Sequence, residues 1–287
     1  MKNYYHSWPV ALCCYFVLLL VTAPAARAQT ALSPTPLCIG ETFTIESKVL
    51  GETRRINVYA PPGYALTASQ PLPVLYMPDG GIKEDFLHVA GLVEVLVGDE
   101  AMRPFLLVGI ENTERRRDLT GPTTNPEDRK IAPRVGGSAA FRTFLRTELM
   151  PAVRQRYATT PETAIVGESL AGLFVVETFL LEPDLFTTYL AFDPSLWWND
   201  NYLTKQADRL LRSYAGAAKT LYLAASSQPD IAEATRHLAV SLRTVARPAI
   251  TWHYNPLPAE THQTIYHPAA LQAFRTVFKL PAAPASK

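Results

Sequence analysis

Short runs of apolar, mostly β-branched or aromatic residues recur along this chain, and most are followed by a segment with helical periodicity. Pro73–Met77, Phe105–Ile110, Thr163–Val166, Tyr189–Phe192, Thr220–Ala225 and Ala249–Tyr254 are nearly continuous in their hydrophobicity. That is the mark of strands buried on both faces, as in a parallel sheet covered by helices. Phe86–Glu100 reads as a helix, and Phe141, Phe144, Leu145, Leu149, Ala152 and Val153 recur at helical spacing in another, which Pro151 is expected to kink. Thr42–Leu50 and Arg54–Tyr59 have no helix between them, so that edge of the sheet is expected to be antiparallel. The pattern predicts an α/β architecture with a mostly parallel sheet of about eight strands and helices on both faces.

One junction carries chemistry. Between the strand ending at Val166 and the helical run from Leu173 lies Gly167-Glu168-Ser169-Leu170-Ala171-Gly172. A serine flanked by small residues at a sharp strand-to-helix turn is the nucleophile elbow of α/β-hydrolases. Ala171 replaces the last glycine of the strict motif, with Gly172 behind it. A serine hydroxyl needs a base, and the base an orienting partner. In this fold the order along the chain is serine, acid, histidine. Of six histidines, His262 is placed directly after the last strand, in the loop from Asn255. The acid is expected at Asp230, a few residues past the strand ending at Ala225. Glu233 competes with it, Asp230 equally suits the cap of the following helix, and a Ser–His dyad without an acid is a further alternative. Asp193, beside Pro194 and Ser195, reads as turn chemistry. An oxyanion would be met by the backbone N–H of Leu170 and one from Asp79-Gly80-Gly81, assigned to Gly81.

The first 28 residues are read as a secretory signal peptide: Lys2, an apolar run over Val10–Val21, and Ala26-Arg27-Ala28 as a cleavage site. Residues 29–287 are then a single domain, secreted or periplasmic, with no membrane span. Two of the three cysteines leave with the peptide, and Cys38 alone supports neither a disulfide nor a cysteine metal site. Stability must come from a large core, which a 48% hydrophobic composition supplies. The formal charge of +1 becomes about −1 after cleavage, and no nucleic-acid partner is indicated. No metal or cofactor is implied, and the oligomeric state is not legible.

Five segments in order give a more specific resemblance: Val74–Gly81, Gly109–Thr120, the elbow at Gly167, Asp193–Asn199, and Glu260-Thr261-His262. Together they resemble the putative-esterase (esterase-D-like) branch of the α/β-hydrolases, which includes trilactone-siderophore esterases. The resemblance implies nucleophile Ser169, base His262 and an oxyanion donor in the Gly80/Gly81 loop. Glu168 departs from the histidine that many relatives carry before the nucleophile. Arg117, Trp197 and Trp198 are candidate substrate contacts. The arginines 115–117 would form a cationic wall for an anionic ester such as a ferric catecholate, or a loop fixed by an Arg117–Asp118 clamp, and two of the three are read as structural. The expected activity is carboxylic-ester hydrolysis through an acyl-enzyme, on a small-molecule ester. Acyl transfer, a carbohydrate ester, or a non-catalytic ferric-siderophore carrier are the alternatives.

Overall fold

In a computed structural model, residues 34–64, 66 and 70–280 are described; the proposed signal peptide lies outside them. Eight strands form one sheet: β1 (Glu41–Ser47), β2 (Glu52–Tyr59), β3 (Leu72–Pro78), β4 (Leu106–Ile110), β5 (Thr159–Glu168), β6 (Thr188–Phe192), β7 (Lys219–Ala225) and β8 (Ile250–Pro256). Their spatial order is β1-β2-β4-β3-β5-β6-β7-β8. β1 and β2 pair antiparallel, as expected, and β2 also runs antiparallel to β4. All pairs from β4 to β8 are parallel. This is the mostly parallel, eight-stranded α/β architecture that the strand–helix alternation predicts.

The helices are α1 (Phe86–Gly98), α2 (Arg115–Asp118), α3 (Ser138–Phe144), α4 (Met150–Arg156), α5 (Leu170–Leu181), α6 (Trp198–Ser213), α7 (Pro229–Val245) and α8 (Tyr266–Val277). Alternate residues of one strand feed different cores. Val74 and Tyr76 pack with Phe144, Phe174 and Leu238 from α3, α5 and α7, whereas Leu75 and Met77 pack with Phe86 and Phe274 from α1 and α8. Each such fully buried side chain contributes on the order of 1.5–3 kcal/mol. The central helix α5 is buried from Leu170 to Leu180, which is why its apolar residues show no helical face. The irregularity expected at Pro151 takes the form of a π-helical turn, Leu145–Leu149, between α3 and α4. Proline has no N–H for the regular hydrogen bond, and the run accommodates that by widening one turn ahead of it.

Candidate active site

Ser169 sits where β5 becomes α5, with φ 60° and ψ −120°. That conformation is costly for any residue with a β-carbon and is held by its surroundings. The Ser169 N–H donates to the Phe192 carbonyl, and the Ser169 carbonyl accepts from Leu173 and Ser195. A β-carbon on Gly167 would lie 2.6 Å from the Ala171 backbone, and one on Gly172 would lie 2.9 Å from the Phe192 carbonyl. The small residues of the elbow therefore let strand, turn and helix close on one another.

His262 lies in the loop between β8 and α8. Leu257 N–H donates to the Ala225 carbonyl, and Ser227 N–H and hydroxyl both donate to the Glu260 carbonyl. These bonds fasten the histidine loop to the C-terminal end of β7. His262 Nε2 is 3.0 Å from Ser169 Oγ, and its Nδ1 is 2.7 Å from Asp193 Oδ2. Assigning the ring proton to Nδ1 makes Nε2 the acceptor of the serine proton.

The carboxylate on His262 is thus Asp193, not the expected Asp230. Asp193 directly follows β6, is fully buried, and has a left-handed φ of 45°. It also accepts from Ser226 N–H at 2.6 Å and Ser226 hydroxyl at 2.7 Å. Since β6 and β7 pair with Phe192 opposite Ala224, their C-terminal ends deliver Asp193 and Ser226 side by side. Asp230 is in the first turn of α7, exposed, and bonded to the Gln228 side chain at 3.1 Å. Its charge still acts on His262 from across the cleft. Glu233 is exposed further along α7, 3.8 Å from His237. Asp193 does turn the chain after β6, as expected, and that turn also presents its buried carboxylate to His262. An Asp-Pro-Ser at a strand end was the available signal.

The Asp193 hydrogen bond, against the opposing effect of burial, holds the His262 pKa above the ordinary histidine value. Glu168 adds to that shift: its Oε1 is 3.4 Å from His262 Nδ1. Burial pushes the Glu168 carboxyl up to about 8. Among the described residues the one trio of potential metal ligands is Glu168, Asp193 and His262, and two of these are already hydrogen-bonded to each other.

Leu170 N–H has no acceptor among the described residues. Gly81 N–H, by contrast, donates to Glu84 Oε2 at 2.6 Å, so the second expected oxyanion donor is already engaged. Glu84 also receives the Asn112 amide side chain at 2.9 Å, and Asp79 is clamped by Arg115 through two bonds of 2.7 Å.

A cleft of about 490 Å³ opens over Ser169 and His262, walled by Arg115, Arg116, Trp197 and Gln228. A second basin of about 550 Å³ shares Arg115 and Arg116 with it and adds Arg134. Arg117 is not placed as a free substrate contact: it forms ion pairs with Glu52 at 2.7 Å and Asp118 at 2.6 Å, the clamp considered from sequence. Arg115 is spent on Asp79, which leaves Arg116 as the cleft arginine without a carboxylate partner among the described residues. The two tryptophans divide. Trp197 lines the cleft, whereas Trp198 is buried and donates its Nε1–H to the Gly121 carbonyl at 2.9 Å.

An eight-stranded sheet of this order, with a serine at the elbow and a histidine after the last strand, defines an α/β-hydrolase. The chain belongs to the family described as Putative esterase, whose model matches residues 47–262 and so runs from the end of β1 to the histidine itself. It is 35% identical over 137 residues to the ferri-bacillibactin esterase BesA of Bacillus subtilis, covering 46% of this chain and 45% of that protein. It is 30% identical over 194 residues to the siderophore triacetylfusarinine C esterase of Aspergillus fumigatus, covering 61% of this chain and 62% of that one. These alignments span about half the length of the curated relatives. Among solved structures it is similar to an IroE-like serine hydrolase from Shewanella oneidensis, with a TM-score of 0.77, 27% identity, and coverage of 84% of this chain and 80% of that one.

Proposed function

We propose that this protein is a serine esterase that opens carboxylic-ester bonds of a siderophore through an acyl-enzyme. The observation that carries the reading is the continuous hydrogen-bonded line from Ser169 through His262 to Asp193. In this reading His262 Nε2 takes the Ser169 proton as Oγ attacks the ester carbonyl, and Asp193 stabilises the imidazolium that results. The Leu170 amide receives the developing oxyanion; Gly81 joins it once Glu84 releases its N–H. A single such donor is worth about 10²–10³ in rate. His262 then protonates the leaving alcohol and activates water to cleave the acyl-serine.

The cleft favours an anionic substrate with flat groups. Arg116 offers a charge with no carboxylate partner among the described residues, and Trp197 presents an aromatic surface. Ferric complexes of catecholate trilactones have both properties, and the relatives named above act on siderophores. Residues 1–28 would export the protein to where such complexes are met; the N-terminal sequence of protein recovered from outside the cytoplasm tests that part. The activity test is hydrolysis of a tri-catecholate trilactone beside short-chain aryl esters, with Ser169→Ala as blank. Ser169-dependent opening of the trilactone is expected to exceed aryl-ester cleavage. Equal turnover by Ser169→Ala would refute the esterase mechanism, and cleavage of aryl esters alone would refute the siderophore assignment.

A further inference from the structure

The residue before the nucleophile has no role in the mechanism above, yet it lies against the base. Glu168 ends β5 with its side chain 16% exposed, and its Oε1 is enclosed with no hydrogen-bond partner among the described residues. That oxygen is 3.4 Å from His262 Nδ1, the nitrogen that Asp193 Oδ2 holds at 2.7 Å. One ligand atom from each of the three residues lies within 4.8 Å of the others. Two carboxyl groups therefore converge on one imidazole N–H. Asp193 has its oxygens taken by Ser226 and His262, whereas Glu168 Oε1 is uncommitted.

The groups around Glu168 explain why it stays in reserve. Asp79, from the loop after β3, and Asp193 disfavour its negative charge. Arg115, on α2, attracts that charge but is tied to Asp79 by two bonds. The buried Tyr266 hydroxyl, on α8, faces the same charge, and protonated His262 would favour it. Two carboxylates this close do not both ionise freely, so one keeps its proton.

We propose that Glu168 is a positioning residue, a second carboxyl that restrains the Nδ1 face of His262 and takes over its N–H when Asp193 cannot. This rests on the serine-esterase reading for its kinetic consequences, but the contact itself belongs to the resting protein. With Asp193 charged, Glu168 is neutral and limits rotation of the ring. With Asp193 neutralised, Glu168 loses one of the charges that, added to burial, keep it protonated, and once ionised it becomes the carboxylate that fixes the tautomer.

The test is a double-mutant cycle of Glu168→Gln and Asp193→Asn, with kcat/KM on an aryl ester followed from pH 5 to pH 10. Removing a sole orienting aspartate costs about 10⁴ in rate. Here Asp193→Asn is expected to lose only about 10²-fold, with activity rising along a limb set by Glu168 ionisation. Glu168→Gln alone is expected to cost less than about tenfold, and in the Asp193→Asn background a further 10-fold or more, with that limb abolished. Equal costs in both backgrounds, or a pH profile unmoved by Glu168→Gln, would overturn the proposal. NMR of the His262 ring reads the same contact without turnover. Its Nδ1–H resonance should persist in Asp193→Asn and vanish in the double variant; loss in the single variant overturns the idea. Should Asp193→Asn fail to fold, Glu168→Gln in the otherwise unaltered protein decides. An alkaline inflection in the His262 shifts must disappear, and its persistence refutes the role. An unaltered protein without esterase activity would refute the proposed function, while the NMR arm would still decide whether Glu168 restrains His262.

Discussion

At the scale of single residues, the site depends on three left-handed backbone turns, at Asp79, Ser169 and Asp193. Each ends a strand, and each turns its side chain toward functional partners rather than along the strand. The glycines around Ser169 make that possible. A β-carbon at Gly172 would meet the Phe192 carbonyl at 2.9 Å and Pro194 Cα at 3.1 Å, both backbone atoms that cannot rotate away. Gly172→Ala should therefore destabilise the protein by about 1–3 kcal/mol in urea unfolding and reduce turnover, because the strain falls on the segment carrying Asp193. His262 supplies a pH prediction. Its neutral form is the base, and Asp193 raises its pKa. Activity should thus fall, as pH drops, through an apparent pKa above the ordinary histidine value of 6.5, and a kcat/KM profile gives that value directly. Ser169 and His262 were legible in the sequence because each is defined by its immediate neighbours, a small-residue elbow and a loop after the final strand. Asp193 was not, since its role depends on Ser226 and His262, 33 and 69 residues away.

At the scale of elements, α2 is a short helix that a buried ion cluster fixes to the sheet. Arg54 on β2 is fully buried and bonds to Asp118 at 2.5 Å and Glu52 at 3.0 Å. Arg117 joins the same two carboxylates. This cluster holds the segment from which Arg115 and Arg116 reach the cleft. Asp118→Ala should destabilise the protein, by less than the roughly 3–5 kcal/mol of a fully stranded buried charge, because Arg54 keeps Glu52 as a partner. Denaturant unfolding measures that cost, and a parallel loss of affinity for anionic esters would follow from movement of Arg116. The Arg117 hydrogen bond to Glu52, opposed by burial, holds its pKa at about 2. The Glu52 contribution is complete above its ordinary value of 4.5 and is lost only as pH falls through about 2. From sequence, the arginine run suggested both an anion wall and a clamp. The folded chain assigns Arg117 to the clamp, because its partner Glu52 comes from a strand 65 positions earlier.

At the scale of the whole molecule, burying Glu168 beside the base has a consequence for stability. Its folded pKa of about 8 exceeds the ordinary 4.5, so between those values the native state holds a proton that the unfolded chain releases. Folding stability from this group is greatest below pH 4.5 and declines as pH rises towards about 8. Glu168→Gln removes that dependence. Thermal unfolding should show similar Tm values for the two proteins near pH 5 and a higher Tm for the variant near pH 9.

Local order in the sequence determined the elements, the two-faced burial of the sheet, the antiparallel edge, the elbow serine and the histidine after the last strand. Each of these follows from residues close together in the chain, where hydrophobic period and turn chemistry act directly. The tertiary structure alone decided which carboxylate meets His262, which tryptophan faces the cleft and which cleft arginine has no carboxylate partner among the described residues. Those outcomes depend on which strand ends lie side by side and on which charges find partners far away in sequence. Asp193 and Asp230 both follow strands of the parallel sheet, but only Asp193, directly after β6, meets both Ser226 and His262, whereas Asp230 lies exposed in the first turn of α7.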